Sequence, residues 1–334
     1  MAIQEAGVKR KPPTVRSGEM DRLSGLKPMW LREQLVWVSA HLYQVVAATI
    51  VLYVALAPGR DQHWTYLLLA GALWGIKFDQ RTVKWRRFLI TGIPLLLFPI
   101  LLWQYFPPIW NQIVYWQVGA NSHLFVWNDL FRRIPGNDGA LFRLFQTPWL
   151  TAYMRWIYAN GFTLPVLIPI FRSFIAKDSR KILRYILSAH VLQFLLIFPF
   201  YLLVRVNEVW YVLGQPDGMD RHLSAAEAAI VTINCFPSMH TSVAFAMFLL
   251  AQREKDRVFR VLMSIFSLSV IYSTLYLEIH WVTDVIGGML LAVAAVKLAD
   301  LILKRLPNLR LLVGQRLKAM HTMKESAFRS QESA

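Results

Sequence analysis

Apolar runs of about 15 to 24 residues recur along this chain, close to the roughly 20 that a helix needs to cross the hydrocarbon core of a bilayer. Eight spans can be drawn: Leu35–Leu56, Trp64–Lys77, Phe88–Phe106, Trp149–Phe171, Ile182–Val204, Pro237–Leu250, Val258–Leu277 and Val282–Leu303. The composition agrees, with 56% hydrophobic and only 17% charged residues, where a soluble domain carries about 25% charged. The expected fold class is therefore all-α, a polytopic transmembrane helical bundle of about eight spans.

Orientation follows from the basic residues. Lys and Arg number seven in residues 1–34, five in 77–87, five in 172–184, four in 253–260 and seven after Leu303. The intervening loops carry one, three, two and none. By the positive-inside rule this alternation places both termini in the cytoplasm. The formal net charge of +16 is thereby explained by topology, and nucleic acid is not an expected partner. The single cysteine, Cys235, excludes an intramolecular disulfide framework and a multi-cysteine metal site. Residues 1–34 are polar and basic, with no early apolar core of the signal-peptide type, so the first span is expected to direct insertion. The expected organisation is a cytoplasmic basic segment (1–34), three N-terminal spans (35–106), an extracytoplasmic interfacial segment (107–148), a catalytic helical domain (149–303) and a cytoplasmic basic tail (304–334). Within the interfacial segment, Asn128–Phe145 reads as an amphipathic helix interrupted by Arg132, Arg133 and Arg143.

Two short segments carry candidate chemistry. The first, Phe236-Pro237-Ser238-Met239-His240-Thr241-Ser242, opens span six; the second, Ser273 to Asp284, closes span seven and opens span eight. The topology puts both at the extracytoplasmic face. Pro237 suits a first helical turn, a helix N-terminus is a ready phosphate site, and Ser238 adds a hydroxyl there. His280 and Asp284 are four apart and share a helical face, so the carboxylate can orient the imidazole as a nucleophile. His240 is placed to act as the general acid. A metal held by the two histidines and Asp284 uses competent ligand types, but no His-Glu-x-x-His pattern accompanies them. His41 and His190 read as structural groups, Gly287-Gly288 as a close helix contact, and Cys235 as a small apolar residue.

At these residues the chain resembles the type-2 phosphatidic acid phosphatase superfamily. By that resemblance Ser238 and His240 match the family's Pro-Ser-x-His block, Ser273 the serine of its later block, His280 the phosphate-attacking histidine and Asp284 its carboxylate partner. Thr274 stands where the family has an arginine, and no Lys-x6-Arg-Pro block lies upstream. The run Thr274-x-Tyr276-Leu277-x-x-His280-x-x-x-Asp284-x-x-Gly287-Gly288 is similar to the inositol phosphorylceramide synthase branch, weakly back through Tyr158 and Leu202–Arg205. That branch usually carries prolines where Val204 and Val206 stand here.

The resemblance implies phosphoryl chemistry on lipid phosphate esters through a phosphohistidine, with no metal or organic cofactor. Headgroup transfer between lipids, of the inositol phosphate type, is the expected reaction. Lipid phosphate or polyprenyl diphosphate hydrolysis is the enzymatic alternative, and a transporter or lipid-binding protein the non-enzymatic one. The expected catalytic residues are His240, His280 and Asp284; Ser238, Arg205, Ser273 and Arg155 are the expected phosphate contacts, the arginines because a cation near or within a span is costly and usually functional. Arg221 is assigned instead to lipid headgroups. Expected partners are membrane lipids, in a bacterial plasma membrane, with an extracytoplasmic active site.

Overall fold

The computed structural model describes residues 125–306 continuously, residues 81–119, and parts of 44–79. The expected N-terminal segment 1–34, His41 and the tail beyond 306 lie outside the described residues. The described chain is mostly helical. In order come α1 (His63–Trp74), α2 (Trp85–Val118), α3 (Asn128–Arg133), α4 (Pro148–Asn160), α5 (Leu164–Ile175), α6 (Ser179–Leu203), α7 (Val209–Leu213), α8 (Ala225–Val231), α9 (Met239–Ala251), α10 (Arg257–Tyr276) and α11 (Val282–Leu306).

Four of the described helices are long and apolar enough to cross a membrane: Trp85–Leu102 within α2, and α6, α10 and α11. This is consistent with an integral membrane protein. Span one, Leu35–Leu56, lies largely outside the described residues, and the three remaining expected spans fall on shorter pieces. Span two is the 12 residues of α1, and span six the 13 of α9. Span four is divided between α4 and α5 at Gly161–Thr163, where Pro165 enters the first turn of the second piece. Conversely, α2 runs for 34 residues, about 51 Å at 1.5 Å per residue, well beyond the span expected there. Residues 128–145 do not form one amphipathic helix; α3 ends at Arg133 and a separate 3-10 turn covers Ala140–Arg143. Gly136 and Gly139, both at positive φ, turn the chain between them. Among the described residues the all-α expectation is broken by a two-residue parallel pairing of β1 (Phe125–Val126) with β2 (Val204–Arg205) and by an isolated parallel bridge between Val206 and Asn234.

Local sequence explains where the helices begin. Thr147 accepts from Leu150 N–H at 3.2 Å ahead of α4, Asp178 from Lys181 N–H at 3.1 Å ahead of α6, and Asp256 from Val258 N–H at 2.9 Å ahead of α10. Ser224 and Glu227 form a reciprocal capping box at α8. Each supplies an acceptor to an otherwise orphaned donor.

The three basic loops 77–87, 172–184 and 253–260 meet at one end of the bundle. There Arg172 pairs with Asp79 at 2.7 Å and Asp256 at 2.9 Å, and Lys181 with Asp79 at 2.9 Å and with Glu254. Arg172, Asp79, Asp256 and Glu254 are all buried. A buried ion pair holds only when its members satisfy one another. Replacing Arg172 by Met should therefore lower the unfolding free energy by about 3–5 kcal/mol, because buried Asp256 loses its cation and Asp79 keeps only Lys181; thermal unfolding in detergent measures it.

At the other end of α9, the N-terminus of that helix presses against α11. A Cβ on Gly288 would stand 2.5 Å from Ser238 O, and one on Gly287 3.0 Å from the Phe236 ring. The glycine pair thus makes the close contact expected of it. Backbone cannot yield as a side chain can, so Gly288→Ala should cost about 1–3 kcal/mol by overpacking, read as a lowered thermal midpoint, whereas Gly136→Ala meets no atom within 4 Å and its cost comes only from its positive φ.

Candidate functional site

The second motif is shaped where α10 stops. Glu278 adopts a left-handed conformation, φ +58°, and the chain doubles back so that the N–H groups of Ile279 and His280 both donate to Thr274 O at 3.1 Å. This reversal delivers His280 to the position just ahead of the N-cap of α11, not onto the helix itself. Its Nδ1 lies 3.4 Å from Asp284 Oδ2, an ion-pair separation longer than a normal N–H···O bond. The same oxygen accepts Trp281 N–H at 2.8 Å, and the Trp281 indole donates to Asn207 O at 2.9 Å. His280 and Asp284 are 4% and 0% exposed, so their pairing operates away from bulk water.

The first motif arrives from the other side. Pro237, joined to Phe236 by a cis peptide bond, precedes the cap rather than occupying the first turn expected of it. Ser238 is the N-cap of α9, its Oγ accepting Thr241 N–H at 3.2 Å. Its own N–H donates to Asp284 O at 3.0 Å, so the two motifs are tied by backbone. His240, in the first turn of α9, stacks on Tyr158 with ring centroids 4.1 Å apart and planes inclined by 21°. Its ring centroid is 6.4 Å from that of His280. Both histidines line a cavity of about 380 Å³ shared with Tyr158, Tyr201, Glu208 and Cys235. Trp110, Asn111 and Val114 of α2 form another part of its wall, which brings the long N-terminal helix to the site.

The remaining candidates lie around this centre. Ser238 is fully buried, its hydroxyl committed to the cap. Ser273 is also fully buried, and its hydroxyl donates to Val270 O within its own helix. Arg155 lies one turn before Tyr158 on α4 and reaches Gly218 O at 2.8 Å and Asp220 at 3.3 Å. Arg205 sits in β2, its backbone carbonyl accepting Trp127 N–H at 3.0 Å, while its guanidinium has no hydrogen bond or ion pair among the described residues. Neither arginine lines the cavity, and among the described residues no Lys or Arg does.

Three features escaped the sequence reading. Tyr158 is 82 positions from its ring partner His240, and no local pattern announces a stack. Glu208 is an acid directly after an apolar span, a signal available but unused; it is buried and holds Arg221 through both carboxylate oxygens. Arg221, expected at lipid headgroups, is instead chelated by Glu208 and Asp217. Burial opposes its charge, but those two carboxylates push its pKa above even the usual arginine range. Glu278 is moved the other way: burial raises its carboxyl, and Arg143, 2.9 Å away, partly offsets this.

Donor atoms of Cys235, His280 and Asp284 lie within 4.8 Å of one another, a thiol, imidazole and carboxylate set that suits a zinc-type ion. The His280–Asp284 separation also serves direct pairing of an imidazole with its orienting carboxylate. No curated protein and no solved structure matches the chain. Residues 184–306, which hold Ser238, His240, His280 and Asp284, match the model of the PAP2 superfamily.

Proposed function

We propose that this protein is an integral membrane enzyme acting on lipid phosphate esters at the extracytoplasmic face through a phosphohistidine. The observation that carries the reading is the placement of His280, backed by Asp284, and His240 on the wall of one cavity. Since Nδ1 of His280 faces Asp284, Nε2 is the nitrogen left to attack. The Nε2 lone pair forms the nitrogen–phosphorus bond as the phosphorus–oxygen bond to the leaving group breaks. His240 gives its proton to the departing oxygen. In the second half an acceptor hydroxyl attacks phosphorus, His240 takes its proton, and the nitrogen–phosphorus bond breaks. Centroids 6.4 Å apart leave room for a phosphoryl group between the rings.

Stabilisation of the developing charge is usually the largest contribution to such transfers. The N-terminus of α9, held in shape by Ser238, carries His240 and brings the favourable end of a helix dipole to the cavity. Arg205, whose guanidinium has no partner among the described residues to give up, is the first choice for a compensating cation. Arg155 would have to leave Gly218 and Asp220, and Ser273 acts by holding the end of α10 instead of touching phosphate. The cavity of about 380 Å³ admits a substrate larger than a phosphate alone, and the resemblance favours headgroup transfer, of the inositol phosphate type, over simple hydrolysis.

Purified protein is to be incubated with radiolabelled phosphatidylinositol, phosphatidic acid or polyprenyl diphosphate, each with and without diacylglycerol or ceramide, and the products separated by thin-layer chromatography. A new labelled lipid that requires the acceptor alcohol is the expected outcome; release of free phosphate alone would assign hydrolysis. His280→Ala should lower turnover on the order of 10³-fold or more, since it removes the nucleophile, and turnover retained by that variant sinks the mechanism.

A further inference from the structure

The helix that carries Asp284 begins in an unusual way. Trp281 occupies its N-cap position, ahead of Val282, Thr283 and Asp284 in the first turn. An N-cap side chain normally supplies an oxygen to the free N–H groups of that turn, and an indole has none to offer. Asp284, third in the helix, reaches back to Trp281 N–H at 2.8 Å, which is half of a capping box. The other half comes from a different part of the chain. Asn137 Oδ1 accepts Thr283 N–H at 2.9 Å, and Asn137 O accepts Val282 N–H at 2.8 Å.

Asn137 is itself held on all sides. It is 2% exposed, its Nδ2 donates to Phe131 O at 3.0 Å, and its N–H donates to Ile134 O at 3.2 Å. The segment around it grips the same turn. Arg143 pairs with Glu278 at 2.9 Å, and the Tyr272 hydroxyl donates to Phe142 O at 2.8 Å. Asn128 exchanges hydrogen bonds of 2.8 and 2.9 Å with Asn207, whose carbonyl holds the Trp281 indole.

We infer that Asn137 is a positioning residue for the His280–Asp284 pair, capping α11 in trans so that the Asp284 carboxylate remains available to His280. The physical reason is competition. The first N–H groups of a buried helix need an acceptor, and Asp284 brings a carboxylate to the same turn, its Oδ2 already accepting Trp281 N–H. With Val282 and Thr283 satisfied by Asn137, one Asp284 oxygen closes the cap on Trp281 while the group still faces His280 at 3.4 Å. Without Asn137, Asp284 is drawn toward the helix end, and the imidazole loses its orienting partner. Asn137 lies outside the family-matched stretch 184–306, so the site depends on the segment preceding α4.

This inference rests on the proposed role of His280, and its test separates the two. Asn137→Ala should lower kcat about 10²-fold with KM nearly unchanged, the scale of a misplaced catalytic group. Asn137→Asp keeps an oxygen at the helix N-terminus, where negative charge is favourable, and should recover most of that loss. Wild-type kcat in Asn137→Ala overturns the inference, as does an equal loss in folded Ala and Asp variants. If Asn137→Ala yields no folded protein, Asn137→Ser carries the comparison, with reduced kcat at constant KM expected and unchanged kcat contradicting it. Hydrogen exchange at Val282 and Thr283 reads the cap without any reaction. Faster exchange in Asn137→Ala beside an inactive wild type would remove the proposed reaction and keep the cap; unchanged exchange removes the cap.

Discussion

The backbone hydrogen bond from Ser238 N–H to Asp284 O, 3.0 Å long, joins two motifs that the chain separates by more than forty residues. It forms only because the N-terminus of α9 can lie directly against α11, and that approach requires Gly288, beside which any Cβ would strike Ser238 O. From this contact the rest of the site follows. The cap on α9 points His240 toward His280, and the capped turn of α11 sets Asp284 beneath it. Tyr158 then closes over His240 from α4.

The two ends of the bundle solve opposite electrostatic problems. At one end basic loops are held by buried carboxylates, Arg172 and Lys181 against Asp79, Asp256 and Glu254. That arrangement is saturated, with each charge answered, and it suits a structural clamp. At the other end the cavity exposes imidazoles and one acid, Glu208, while the neighbouring Arg221 is already occupied by carboxylates. Under the proposed function, such a site would draw the charge that an anion needs from helix-end N–H groups and from a cation outside the wall. The clamp at the far end gives α9 and α10 the rigidity with which such preorganised donors work.

Much of this was legible before any coordinates. Long apolar runs predicted the helices because apolar length is a local property, and four of them remain long enough to span in the structure. The expectation misjudged elements where a turn cuts an apolar run, as at Gly161–Thr163, or where a helix outlasts its apolar stretch, as in α2. The approach of His280 to Asp284 is legible in their spacing of four. The place of His240 after Pro-Ser marks it as a candidate, and the structure puts it on the same cavity wall as His280. Arg155 stands out by its position within a span and Ser273 by the resemblance, and neither criterion reveals which neighbour takes a side chain first: Gly218 and Asp220 take the guanidinium, and Val270 O the hydroxyl.

By itself the sequence determined the apolar periodicity, the alternation of basic loops and the short-range geometry of the His280–Asp284 pair, all of which depend on residues within one or two helical turns. Only the tertiary structure decided that Ser238 would bond to Asp284, that Tyr158 would stack on His240, and that Asn137 would cap a helix 146 positions away. Such contacts depend on how helices pack. Packing is set by the shape and hydrogen-bonding needs of partners distant in the chain, and no local pattern encodes that.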